Sequence, residues 1–344
     1  MKLHLVTALA LCLSPIAASS AFAQDDASVA EFYEGKTITF LVGARPGGML
    51  DIYTRLLGKH MMKRIPGNPD AAYRSDDANG GMMMADFMQN NTPGDGTHIG
   101  TTQDTVPVSQ VINPGVGNFD VRSWSLLGSM KPNRFFLALW KDGAPVDTLE
   151  GLKETEVLIG STGKTSPTYI FPALMNEFLD TKLNVIPGYN FGAAHLAMEQ
   201  GETQGIASAM DSFRALYPQY LEQNKLMPIV QFALTPDPEL SGVPLFVDVV
   251  EDPVNKQVAE LAGISGDFGR FYYMGPDVPA ERVEAVRKAF EETLTDPEFL
   301  ADADEAGIDI EYVPYQHLDA LLNKIHSAPA DVLEKAQAAM ALQQ

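Results

Sequence analysis

The stretch Thr37–Leu57 reads TITFLVGARPGGMLDIYTRLL, and Val157–Met175 reads VLIGSTGKTSPTYIFPALM. Each is a short apolar run, a glycine-containing loop and then a helical pattern. The first loop is Gly43 to Gly48 and the second Gly160 to Ser166. Each is expected to leave backbone N–H groups at a helix N-terminus, where the helix dipole also favours negative charge. Two such loops facing each other across a cleft would clamp a carboxylate. A charge-assisted hydrogen bond contributes roughly 1.5–3 kcal/mol. Three or four therefore approach the roughly 8 kcal/mol of a micromolar site. One loop alone says little, because tight strand-to-helix turns use glycine anyway.

Around these loops, strands and helices alternate. Thr37 to Val42 reads as a buried strand and Asp51 to about Met62 as a helix. Weaker strands are expected at Ala71 to Ser75 and His98 to Thr101, with a helix over Gly81 to Gln89 between them. A second series, beginning near Ser125, places strands at Phe135 to Trp140, Val157 to Gly160, Leu183 to Ile186 and Gln204 to Ala209. Such alternation predicts an α/β fold with mostly parallel sheets. The last third reads as more helical. Val283, Val286, Phe290 and Leu294 share one helix face, and Asp296-Pro297-Glu298 opens the next helix with a cap, a proline and an early carboxylate. The Pro-rich stretch Thr235 to Pro244 reads as a crossover or hinge.

The chain has 344 residues and opens with the basic Met1-Lys2-Leu3-His4. An apolar run from Leu5 to Leu13, Pro15 and the small-residue site Ala21-Phe22-Ala23 follow. This is the pattern of a cleaved secretory signal over residues 1–23, and the run is too short for a membrane span of roughly 20 residues. The single cysteine, Cys12, lies within it, so the mature chain has no thiol. Lipid attachment there is disfavoured by Leu11, where a small residue is wanted. Loss of Lys2 leaves 23 basic against 45 acidic residues, a formal charge of −22. That disfavours nucleic acid and anionic membrane surfaces. It leaves an anionic ligand open, because exposed charges are screened beyond about 8 Å and local donors decide. The remaining length suggests two domains.

With the loops in place, an ordered series of motifs resembles the tripartite tricarboxylate transporter receptors, the Bug-type solute-binding proteins. The first is Gly47-Gly48-Met49-Leu50-Asp51 with Arg55 four residues on, and the second is Ala78-Asn79-Gly80-Gly81. Thr92 to His98, the Gly160 to Ser166 loop, Ile186 to Tyr189, Gly201 to Gly205 and Met274 to Pro279 follow in order. The series covers essentially the whole mature chain. It departs from the family at Ala44-Arg45-Pro46, at Ala72-Tyr73-Arg74-Ser75 and at an extra glycine, Gly188. The resemblance implies a type II periplasmic-binding fold, two α/β domains closing on a ligand cleft. The first domain would comprise residues 24–127 plus 234–344 and the second 128–233. It further implies a periplasmic, non-enzymatic monomer that captures a small carboxylate and delivers it to a permease of one large and one small membrane subunit. A receptor acting on a membrane sensor kinase is the alternative.

The candidate ligand contacts follow. Gly47 and Gly48 either let backbone approach a ligand or serve a turn needing positive φ, Arg45 offers a bidentate guanidinium or is a solvated loop residue, and Asp51 organises the loop. Ser161, Thr162, Gly163, Thr165 and Ser166 offer hydroxyls and amides from the second loop, with helix capping as the competing role. Tyr189 would line the cleft or pack in the core, and Gln103, Asp104, Met210 and Asp211 each follow a strand and could hydrogen-bond a distal ligand group. Enzyme readings fare worse. Gly160 to Thr165 lacks the leading glycine of a P-loop, because Leu158 stands there. Ser161-Thr162-Gly163-Lys164 fits Ser-x-x-Lys without the partner motifs of penicillin-recognising enzymes. The six histidines show no zinc spacing, and no cofactor motif is present.

Overall fold

The computed structural model describes residues 27–115, 117–164 and 166–341. The expected signal segment 1–23 and Thr165 lie outside the described residues. A helix through residues 27–33 (α1) leads into β1 (Thr37–Val42), α2 (Met49–Met61), β2 (Asp70–Ser75), α3 (Met82–Asn91), β3 (His98–Thr101), α4 (Thr105–Ile112) and β4 (Ser125–Ser129). The next section holds β5 (Phe135–Trp140), α5 (Leu149–Glu154), β6 (Val157–Gly160), α6 (Pro167–Leu179), β7 (Leu183–Ile186) and α7 (Phe191–Glu199). It ends with β8 (Gly205–Ala209), α8 (Met210–Leu216), α9 (Pro218–Glu222) and β9 (Leu226–Phe232). The remainder is α10 (Phe246–Val249), α11 (Pro253–Phe268), β10 (Phe271–Met274), α12 (Ala280–Leu294), α13 (Pro297–Glu305), β11 (Val313–Pro314), α14 (Tyr315–His326) and α15 (Ala330–Ala341).

These strands form two sheets. One runs β2-β1-β3-β10-β4-β11 and the other β7-β6-β8-β5-β9. The order repeats: second, first, third, an inserted strand, then the next. Each sheet is covered on both faces. Tyr53, Leu57, Phe290 and Phe299 pack on one side of the first sheet, and Met88, Val106, Phe268 and Leu318 on the other. Phe171, Leu174 and Phe246 cover one face of the second sheet, and Met198, Phe213 and Tyr220 the opposite face. This is the three-layered helix–sheet–helix packing expected of doubly wound sheets.

β1 lies inside the sheet, next to its edge strand; its β-branched and aromatic residues suit burial, and it pairs in parallel with both β2 and β3. β2 is an edge strand carrying Asp70 and Arg74, charges that discourage further pairing.

Three expectations need correction. The sheets are mixed rather than mostly parallel: β10 is antiparallel to β3 and β4, and β5 to β8 and β9. β5 follows directly on β4 of the other sheet, and β10 follows α11, which comes after β9 of the other sheet; neither is joined to its sheet neighbour by the βαβ crossover that gives parallel pairing. Ser125–Ser129 belongs to the first sheet, so the second series begins at Phe135. The Pro-rich Thr235 to Pro244 stretch is no crossover. Buried Gln231 on β9 donates to the carbonyls of Leu240 (3.3 Å) and Val243 (2.8 Å) and accepts from the Asp237 amide (2.8 Å). A buried amide needs these partners, and they hold the loop against the second sheet. Phe246 and Val250 continue in that sheet's core. The chain passes between sheets at residues 130–134 and through α11, which packs on α4, α14 and α15 as well as α6 and β9.

Candidate ligand site between the two sheets

In each sheet the strand order reverses between two parallel strands, β1 and β3 in one, β6 and β8 in the other. The crevice outside the carboxyl ends of such strands is where open α/β sheets bind ligands. Most of the candidate residues follow these four strands. Arg45, Gly47, Gly48 and Asp51 follow β1, and Gln103 and Asp104 follow β3. Ser161, Thr162, Gly163 and Ser166 follow β6, and Met210 and Asp211 follow β8. Tyr189 follows β7, half-buried beside the second core, its amide bonded to Ser161 O (3.1 Å).

The first loop is organised from within. Asp51 is buried, and its Oδ2 accepts from the Gly47 amide (2.9 Å) and Arg55 Nε (2.9 Å). Its Oδ1 accepts from Ser75 Oγ (2.9 Å). Burial opposes the charge, but Arg55, the Gly47 amide and Ser75 together hold the carboxyl below the usual range. Gly48 donates its amide to Arg45 O (3.2 Å). The expectation of free amides therefore fails at Gly47 and Gly48. The carboxylate side chain of Asp51 and the turn carbonyl already use them. Arg45 pairs with Asp77 on the surface, both side chains well exposed. Three loops meet behind this turn: Gly43, Gly81 and Thr102 lie backbone against backbone, and a Cβ on Gly81 would stand 2.5 Å from Gly43 O. Gln103 Nε2 reaches the same carbonyl at 3.5 Å.

The second loop is a hydroxyl cluster. Thr168 Oγ1 lies 3.0 Å from Ser161 Oγ, 3.1 Å from Thr162 Oγ1 and 2.6 Å from Ser166 Oγ, and accepts from the Thr162 amide (3.0 Å). Ser166 takes the N-cap position of α6 without capping through its side chain; its Oγ donates to Gly163 O (2.9 Å). Simple capping is therefore not what these hydroxyls do. Thr168 is their hub and was not anticipated. The hint lay in its place one residue past Pro167, where a helix begins. Ser161 is fully buried and Lys164 exposed.

Between the sheets sits a buried charged group that the sequence did not single out. Arg270, immediately before β10, donates from Nη2 to Asp211 Oδ2 (3.4 Å). Tyr53 of α2 donates its hydroxyl to the same oxygen (2.9 Å). Side-chain exposure is 9% for Arg270 and 3% for Asp211. Burial works against the Asp211 charge, yet Arg270, Lys131 and the Tyr53 hydroxyl hold it ionised, below the usual range. Arg270 also acts electrostatically on buried Asp104, whose Oδ2 accepts from Asn133 Nδ2 (2.6 Å). Burial pushes its carboxyl up to about 6. Arg270 Nε, Asp104 Oδ1, Asn133 Oδ1 and Thr101 Oγ1 are buried atoms without a protein partner. Unsatisfied buried polar atoms are rare enough that each calls for an explanation, and a bound polar solute is one. The signal for Arg270 was a lone cation directly ahead of the wholly apolar Phe271–Met274 run.

Metal chemistry finds weaker support. The fold brings His60 beside Asp296 and Glu298, which spacing along the chain does not reveal. Asp296 caps α13 and pairs with Arg64, and Glu298 pairs with Lys63 at 2.8 Å. The carboxylates there already neutralise cations.

No known family model matches this chain, and no curated protein does either. Solved structures do. The periplasmic binding protein BugD is similar with a TM-score of 0.67 at 15% identity, over 89% of this chain and 98% of that one. A TctC solute-binding protein from Polaromonas gives 0.63 at 15%, over 90% and 99%. MatC from Rhodopseudomonas palustris, solved with bound malate, gives 0.65 at 18%, over 87% and 99%. The chain has the two-lobed α/β fold of the periplasmic solute-binding proteins. The particular likeness is to Bug and TctC proteins, the group its motifs resemble.

Proposed function

We propose that this chain is a receptor of the tripartite tricarboxylate transporter type, exported by residues 1–23 and cleaved near Ala23. In the periplasm it captures a small organic carboxylate between its two sheets and hands it to a membrane permease of one large and one small subunit. The sheets are the cores of two domains, and the hinge comprises residues 130–134 and the entry to α11. Closure of the domains traps the ligand.

The observation that carries this reading is Arg270. A buried guanidinium at the carboxyl edge of one sheet, facing Asp211 of the other with an unpartnered Nε, is suited to a carboxylate. The start of α2 and the hydroxyl cluster before α6 lie at the same strand ends. The bound malate of a similarly folded protein and the adipate of another are consistent with this ligand class. The non-enzymatic reading is supported by Ser161, whose buried hydroxyl is occupied with Thr168 rather than presented to a substrate.

A thermal-shift screen of mono-, di- and tricarboxylates tests it. A micromolar ligand at hundredfold excess should stabilise the protein by about 2.7 kcal/mol. Stabilisation by uncharged solutes alone would refute the reading.

A further inference from the structure

The charges around Arg270 do not balance. Lys131 is held by Asp309 (3.0 Å) and Arg134 by Glu311 (2.8 Å). Arg214 is shared by Asp309 and Glu239. Arg270 itself is hydrogen-bonded to Asp211. Asp104 is left with the neutral amide of Asn133 as its side-chain hydrogen-bond partner. A buried carboxylate with no bonded cation is costly, and proteins normally pair such groups.

We propose that Asp104, with Asn133, receives a cationic nitrogen of the ligand, so that the site selects amino-carboxylates over plain carboxylates. This rests on the carboxylate-receptor reading above and sharpens it. The ligand's carboxylate takes the free donor of Arg270, and its ammonium group takes Asp104 Oδ1 and Asn133 Oδ1. Both oxygens are buried and unpartnered. Because Asn133 gives its NH₂ to Asp104, its own oxygen faces elsewhere as an acceptor. An ammonium group offers three donors and seeks such oxygens. A dianionic ligand meets the opposite situation. Its second carboxylate would come up against Asp104, with Arg270 already engaged by the first carboxylate and by Asp211. The raised pKa of Asp104 agrees with an acid awaiting a cation.

Matched pairs of acids test this by calorimetry and melting shift: aspartate against succinate, glutamate against glutarate, alanine against propionate. The wild-type protein should bind the amino acid of at least one pair about tenfold or more tightly than its deaminated partner, the ordinary effect of one charge-assisted contact. Asp104→Asn should abolish that preference, weakening binding of the amino acid and raising affinity for succinate and glutarate, whose second carboxylate no longer meets a like charge. The absence of an amino-acid preference in every pair, or an amino preference untouched by Asp104→Asn, would overturn the inference and leave the carboxylate reading standing. Binding of uncharged solutes but of no acid in the panel would overturn both. The wild-type comparison needs no variant, so it decides the matter even if Asp104→Asn fails to fold.

Discussion

Arg270 stands one residue ahead of Phe271, the start of a strand whose four residues are all buried. Nothing in the local pattern marks it as more than a charge at a strand end. Its role comes from Tyr53 and Asp211, 217 and 59 positions away along the chain. Asp51 was the opposite case, because its partners Gly47 and Arg55 lie within one helical turn. Local partners are legible in a sequence, and distant ones are not. Removing one member of a buried ion pair costs about 3–5 kcal/mol, since its partner is left uncompensated. Arg270→Gln should therefore lower stability in urea by about 3 kcal/mol. Adding Asp211→Asn should recover part of that loss, and strict additivity would contradict the coupling. Titration gives a second prediction. Burial lowers the His195 pKa to about 4, so its contribution is complete above pH 6.5 and is lost as pH falls toward 4. Asp104 is raised to about 6, so its contribution is complete below pH 3.8 and is lost as pH rises through 6. The two oppose each other on acidification. Between pH 6.5 and 4, Asp104→Asn should lose stability more steeply than wild type, and His195→Gln less steeply. Melting temperatures across that range measure it.

Elements were legible where a strand was followed by its own helix. β1, β3, β5, β6 and β7 fall at the residues expected for them, because apolar runs bounded by turn signals define them locally. β9 and β10 were not foreseen. β10 is a four-residue apolar run with no alternation, and its pairing with β3 and β4 is long-range. The glycine loops were found, but their amides were misjudged, since sequence does not show that Asp51 takes the Gly47 N–H. Two glycines, one in the Ala78–Gly81 turn behind the first loop and one in the second loop, tolerate change differently. Gly81 has φ +86 and a Cβ there would press on Gly43 O, whereas a Cβ on Gly163 meets nothing within 4 Å. Gly81→Ala should destabilise by about 2 kcal/mol or more, from strain and the displaced loop. Gly163→Ala should stay within about 0.5 kcal/mol of wild type. Equal effects in denaturant melts would mean that the three-loop junction at Gly43, Gly81 and Thr102 is not rigid.

For the whole molecule, two sheets of the same strand order present their carboxyl edges to one buried charged group. α8 of the second sheet reaches the first through Arg214, which pairs with Asp309, and through Ala215 and Leu216, packed on the first core. The fold class was readable from alternation and motif order. The candidate site was readable only as strand ends, because a site assembled from two halves of a chain has no local signature. The central claim is that a carboxylate lodges between the sheets against Arg270. Calorimetric titration of wild type and Arg270→Gln with the acid that most raises the melting temperature tests it most directly. The account predicts roughly a tenfold to hundredfold loss of affinity in the variant, the equivalent of one charge-assisted hydrogen bond. Unchanged affinity in a folded Arg270→Gln protein would contradict it.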